Sequence, residues 1–199
     1  RGSSRGWCMK KLSGFLIVVL FAMVTVAAWG YANRPTSEPA LPRVIHGFAF
    51  QPYQKDQDAI AGEDPTSAQI DADLKLLAGT TRAVRTYSSI GTLGEIPALA
   101  RKHGLKVMLG SGRDADRERN DREVEAAIRL ANTNRNVTRI LIGNEVVLRG
   151  DLPVEDLIAH LDRVRAATKQ PVSTAEPWHV WIKHPELVTH VDFITVHML

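Results

Sequence analysis

Three regimes of hydrophobicity succeed one another along the chain. Residues 12–29 are uncharged and mostly apolar, interrupted only by Ser13 and Thr25, so no polar stripe of helical period marks a surface. Residues 33–42 carry three prolines among polar side chains and predict a linker. Beyond it, short apolar runs alternate with segments whose apolar positions recur every three or four residues. The runs at 44–50, 83–87, 106–110, 139–143, 171–174 and 193–197 predict six strands, with starts about 20 to 40 residues apart. Between the first two, Ile70, Leu74 and Leu77 form one buried stripe after the start signal Asp64-Pro65, and Gly79 ends it. Further helices are predicted over 93–103, over 121–131 with Val124, Ile128 and Leu130, and over 154–168 with Leu157, Ile158, Leu161 and Val164 on one face.

Alternation of this kind gives parallel strands covered by helices, hence an open doubly wound sheet or a barrel. The first strand argues against a dinucleotide site, because Gly47-Phe48-Ala49-Phe50-Gln51-Pro52 has no Gly-rich phosphate turn. Polar residues instead gather just after strands, at Gln51, Arg85 with Tyr87, Asn144 with Glu145, Glu176 and His197, which is where a barrel builds its site. The expected fold is therefore α/β, a (β/α)8 TIM barrel. A complete one takes roughly 250 residues, so the domain at 43–199 is expected to be incomplete, about six of eight units. Its open edges would leave strand backbone unpaired.

Composition changes this picture at the N-terminus. Four of the 25 basic residues, Arg1, Arg5, Lys10 and Lys11, precede the apolar run, and without them 21 basic side chains face 22 acidic ones. No basic face calls for nucleic acid. The segment 1–11 thus reads as a basic flank, with Met9-Lys10-Lys11 resembling a natural start, and 12–32 as a transmembrane anchor or signal sequence closed by Trp29 and Tyr31 at the far interface. An uncleaved anchor is favoured over a cleaved signal, since Gly30-Tyr31-Ala32 meets the small-residue rule only passably. That orientation predicts a cytoplasmic N-terminus and an exported domain in the periplasm or outside the cell. Cys8, the single cysteine, permits no internal disulfide.

The candidate chemistry centres on Asn144-Glu145, which follows the buried-type run at 140–143. A carboxyl there can protonate a departing glycosidic oxygen and later deprotonate water, while Asn144 can donate to a sugar hydroxyl. The competing reading is that the pair caps the next helix. Arg85 and Tyr87 alternate with Val84 and Thr86 and so share a face. Trp178 and Trp181, three apart, offer either a stacking platform for a pyranose or core packing. His197 ends the last run and is suited to a ligand or a neighbouring carboxylate. The charged segment 113–125 reads as a solvated loop and helix face. His179, His184 and His190 lack zinc-protease spacing, and neither a metal nor a cofactor is expected.

Five ordered segments, Gly47-Phe48-Ala49-Phe50, residues 82–88, residues 142–146, Thr174-Ala175-Glu176-Pro177-Trp178 and residues 191–197, together resemble glycoside hydrolase family 17, the β-1,3-glucanases and bacterial β-glucan transglycosylases. The resemblance implies a retaining (β/α)8 enzyme acting on β-1,3-glucan. It makes Glu145 the acid/base and Asn144 a substrate-positioning neighbour, has Arg85 and Tyr87 line the site, and puts the nucleophile on a strand beyond Leu199. Glu176 is then a subsite or loop residue, and Trp178 and His197 are substrate contacts. The chain departs from the family pattern at Ser111-Gly112-Arg113-Asp114, where a bulky apolar residue is common. The expected partners are a β-glucan polysaccharide or oligosaccharide and, through the N-terminal helix, a membrane. The alternative is a non-catalytic glucan-binding remnant or module of a membrane β-glucan synthase.

Overall fold

The computed structural model describes residues 3–36, 40, 43–59 and 61–198. It divides into two compact units, 1–41 and 42–199. The first is a single helix, α1 (Ser3–Ala32). Within it Gly14–Ala32, 19 residues of mean hydropathy 2.2, is long and apolar enough to cross a membrane. Phe15, Phe21 and Trp29 are all at least 65 % exposed, and Thr25 returns its hydroxyl to the Phe21 carbonyl at 2.9 Å, so that hydroxyl is satisfied within the helix while the span offers apolar surface outward. The expected linker falls partly outside the described residues, at 37–39 and 41–42.

The second unit is a six-stranded parallel sheet in the order β1-β2-β3-β4-β5-β6: β1 (Phe48–Ala49), β2 (Ala83–Arg85), β3 (Lys106–Ser111), β4 (Val137–Asn144), β5 (Val172–Pro177) and β6 (Thr195–His197). Every neighbour in space is the neighbour in sequence, the topology of a TIM barrel with part of its circumference open. All six expected strands are present, though β1 is shorter than expected, with only Ile45 bridging to Thr81 ahead of it.

Helices cover the outer face. In α2 (Ser67–Leu77), Ile70 and Leu74 are fully buried and Leu77 packs beside the core as the spacing predicts. Its start differs from the expected one. Thr66, not Asp64, is the N-cap, in a capping box with Gln69, because Asp64 is engaged by the Tyr53 hydroxyl at 2.9 Å. Then come α3 (Ile96–Lys102), entered through a 3-10 turn at Gly91–Glu95, α4 (Arg117–Thr133) and α6 (Val154–Ala167). Asp116 starts α4 four residues earlier than expected by accepting from the Arg119 amide at 3.0 Å. Leu109, Ile140 and Ile142 from the sheet meet Ile96, Leu157 and Leu161 from the helices in one core. Two short helices were not expected: α5 (Val146–Arg149) and α7 (Trp178–Lys183), each directly after a strand.

Candidate active site

The end of β4 is bent to present Glu145. Gly143 adopts φ +84, where an added Cβ would sit 2.5 Å from Cγ2 of the buried Val146, so the strand can pass there only without a side chain. Glu145 follows in the left-handed region, φ 56 and ψ 32, and is the only described non-glycine residue with positive φ. Its amide donates to the Ala175 carbonyl on β5 at 2.8 Å, which pins the turn to the neighbouring strand. Glu145 occupies the N-cap position of α5 but makes no side-chain cap bond. Its carboxylate turns to the sheet instead.

There Oε1 lies 2.6 Å from Nδ1 of His197, the two side chains being 22 % and 20 % exposed. The other imidazole nitrogen, Nε2, is 3.3 Å from Nη1 of Arg85. Arginine has no acceptor, so that contact needs a lone pair on Nε2 and puts the ring proton on Nδ1, from which it is donated to Glu145. Nη2 of Arg85 donates to Oδ1 of Asn144 at 2.7 Å, and the guanidinium stands 4.8 Å over the Tyr87 ring. Burial lowers the Arg85 pKa, while Tyr87 and Glu145 oppose that shift. Residues from β2, β4 and β6 thus meet in one hydrogen-bonded chain, Asn144 to Arg85 to His197 to Glu145, with Tyr87 beside it. Five of the seven residues expected at the site are brought together.

The other two are not. Glu176 is fully buried and accepts from the amides of Val147 and Leu148 at 3.0 and 3.3 Å. Burial raises its pKa, against the lowering effect of the Val147, Leu148 and Val146 amides. It is the carboxylate that caps α5, so the substrate contact expected of it is corrected: a side chain at the end of a fully buried strand faces the adjoining helix amides and has no exposed surface. Trp178 is half exposed on α7, edge-on to His179 with ring centroids 5.6 Å apart. Its expected partner Trp181 is buried, with Nε1 held by the carbonyls of Glu176 and Thr195 at 3.2 and 3.1 Å, so the two indoles do not form a platform.

The solvated reading of 113–125 also fails in part, because Arg113, Asn120 and Glu123 are buried. Glu123 accepts from the Ser88 hydroxyl at 2.5 Å and the Ser89 amide at 2.8 Å, with the Ser111 hydroxyl at 3.3 Å. Nη1 of Arg113 donates to Oγ of Ser111 at 3.0 Å and also to the Gly112 carbonyl. A buried polar cluster therefore clamps the loops that leave β2 and β3. Its signal was available, since Asn120, Glu123, Ala127 and Ala131 continue one helical stripe.

A parallel strand cylinder with a carboxyl, an asparagine and an arginine at its C-terminal mouth is the scaffold of a glycosidase-type domain. Residues 47–199 match the BtgE/BtgC glycoside hydrolase domain, and the chain belongs to that family. It is 32 % identical over 137 residues to a glucan 1,3-beta-glucosidase of Schizosaccharomyces pombe, an alignment covering 62 % of this chain and 42 % of the relative. Among solved structures it is similar to a glycoside hydrolase family 17 beta-1,3-glucanosyltransferase from Rhizomucor miehei, with TM-score 0.60, and to an active-site mutant of that species' beta-1,3-glucanosyltransferase in complex with laminaritriose, with TM-score 0.62. Both are 24 % identical, covering 75 % of this chain and 55 % of theirs, and so establish the fold. The chain spans about half the length of these relatives or less. The expected kinship with family 17 stands on these findings.

Proposed function

We propose that the domain is part of a retaining glycoside hydrolase or transglycosylase acting on β-1,3-glucan, with Glu145 as the acid/base. The observation that carries this is the Glu145–His197–Arg85–Asn144 chain at the barrel mouth of a glycoside hydrolase domain. His197 holds Oε1, which leaves Oε2 to protonate the glycosidic oxygen and, in the second half-reaction, to take a proton from water or from a sugar hydroxyl. Arg85 orients both His197 and the Asn144 amide, which in this reading addresses a sugar hydroxyl next to the reacting centre. Retention needs a second carboxyl about 5 Å from the first. Glu176 is committed to the α5 amides, and the proposal assigns the nucleophile to a barrel unit outside the six strands.

The test is Glu145→Gln in a protein with the barrel completed to eight units. Turnover of β-1,3-glucan is expected to fall by roughly 10²- to 10⁴-fold. The loss should be much smaller on an aryl β-glucoside whose phenolate leaves without protonation. Unchanged glucan turnover removes Glu145 from the chemistry, and saccharide binding without turnover in the parent protein selects the non-catalytic module.

For α1 the proposal is a membrane anchor with a cytoplasmic N-terminus and an exported barrel, supported by its 19-residue apolar span and its basic flank. The protein is expected in the membrane fraction, with α1 retained on its mature N-terminus; a soluble product starting near Asn33 would contradict that.

A further inference from the structure

The charges of the second unit are sorted along the strand direction. In a parallel cylinder every strand begins at one rim and ends at the other. The segments that lead into β1 to β5, at 43–48, 78–83, 103–107, 134–139 and 168–172, carry Arg43, Arg82, Lys106, Arg135, Arg139 and Lys169 without a single Asp or Glu. The segments that leave β1, β3 and β4, at 50–64, 112–121 and 145–156, hold twelve carboxylates against five Lys and Arg. Linear composition conceals this sorting, because the cations stand one or two to a segment, far apart in sequence, and parallel pairing collects them. The Arg82 amide donates to the Ile45 carbonyl at 3.1 Å, the Lys106 amide to that of Arg82 at 3.0 Å, the Val107 amide to that of Asn136 at 2.8 Å and the Ile140 amide to that of Pro171 at 3.0 Å, so the basic segments lie side by side. The segment into β6 differs, but its Asp192 is committed to Arg165 at 2.9 Å and to the Val172 amide at 2.8 Å, and its Glu186 to His184 at 3.1 Å.

All six cations are exposed, and among the described residues none of them forms a salt bridge. At the opposite rim Arg117, Arg119 and Arg149 are each paired with an aspartate, at 3.5, 3.3 and 2.6 Å. Unpaired cations gathered on one face repel one another, a cost that an anionic partner removes. Arg82, Lys106 and Arg139, with His46, also line one hollow of about 590 Å³, so they converge instead of scattering. The place of this rim in the chain points to the partner. Residue 43 opens the segment into β1, so 33–42 joins the domain here, and ten residues reach at most about 36 Å. We propose that the strand-entry rim is a docking surface for anionic phospholipid headgroups, which seats the barrel base-down on the bilayer and turns the Glu145 mouth away from the lipid. The inference rests on the reading of α1 as a membrane anchor. It adds that the domain is oriented on the membrane rather than swinging on its tether, since each cation near a negatively charged leaflet favours the docked state roughly fivefold.

The experiment is hydrogen exchange of the full chain in nanodiscs of phosphatidylcholine alone and of equal parts phosphatidylcholine and phosphatidylglycerol. Amides at 78–82, 134–136 and 168–170 are expected to exchange more slowly in the anionic discs only, and molar salt should abolish the difference. Arg82→Gln, Arg135→Gln and Lys169→Gln combined should weaken docking roughly a hundredfold, three factors of five, and return these amides to their neutral-disc rates while the chain stays in the disc. All three side chains are exposed and unpaired, so the fold does not depend on them. Removing the same charge elsewhere, with Arg117→Gln, Arg119→Gln and Arg122→Gln on α4, should leave the protection intact. Equal rates in both discs, or protection that survives the entry-rim substitutions, overturns the docking surface. So does salt-sensitive binding of a DNA duplex by a rim that ignores phosphatidylglycerol. A chain that enters neither disc removes the anchor instead. Its rim is then upheld by sedimentation with vesicles of the anionic composition that the triple variant loses, and overturned by sedimentation with neither composition.

Discussion

Glu123 and Glu176 are carboxylates that the fold buries for positioning rather than for reaction, and both carry an electrostatic cost. Burial is the first cause of each raised pKa, opposed for Glu123 by Ser88 and Ser89 and for Glu176 by the α5 amides. A folded pKa above the unfolded one means that the native state holds more protons than the unfolded state between the two values, so stability falls as pH rises through that window. The urea midpoint is therefore expected to decline from about pH 4 towards neutrality, and Glu123→Gln should flatten that decline; an unaltered slope in the variant counts against this account. At the same scale, Glu145 was legible because an apolar run ending in a carboxylate puts it at the strand's C-terminal end. Glu176 has the same local signature and was misread. The sequence pattern reports which end of a strand a residue occupies, but whether its carboxylate meets substrate or helix amides depends on α5, whose four residues are too few to show a period.

Among the elements, the strands and the long helices were read correctly in type because their apolar spacing reflects burial, whereas their ends were set by single hydrogen bonds. Thr66 caps α2 while Asp64 takes the Tyr53 hydroxyl from eleven positions away, and Asp116 extends α4 through a local bond from the Arg119 amide. One contact between elements offers a sharp test. Gly110 on β3 lies so close to β2 that an added Cβ would be 1.9 Å from the Thr86 carbonyl oxygen, with Tyr87 Cα only 2.7 Å away. Backbone cannot retreat as a flexible side chain does. Gly110→Ala is expected to cost roughly 3 kcal/mol or to prevent folding, since it forces apart the two strands that carry Arg85 and the Ser111 clamp. A chemical-denaturation midpoint within error of wild type would show that the strands separate more easily than this packing implies.

At the largest scale, the second unit is built on a sheet whose first and last strands, β1 and β6, are two and three residues long and bound the open part of the cylinder. His197 belongs to β6 and is paired through Pro177 to β5, so the candidate site is completed at an edge of the sheet rather than at its centre. Sequence spacing identified six units and their order, because each unit is local; it could not show which residues from separate units touch, as Arg85 and Asn144 do across 59 positions. The left-handed backbone of Glu145 then acquires a meaning for selection. A side chain in that conformation costs on the order of 1 kcal/mol, which glycine avoids at the expense of a looser unfolded chain. Comparing two variants that both lack the carboxylate, Glu145→Gly is expected to melt above Glu145→Gln, and the reverse order would deny the strain. If the order holds, drift towards greater robustness would erase the acid first, and its persistence in a lineage would be a record of use.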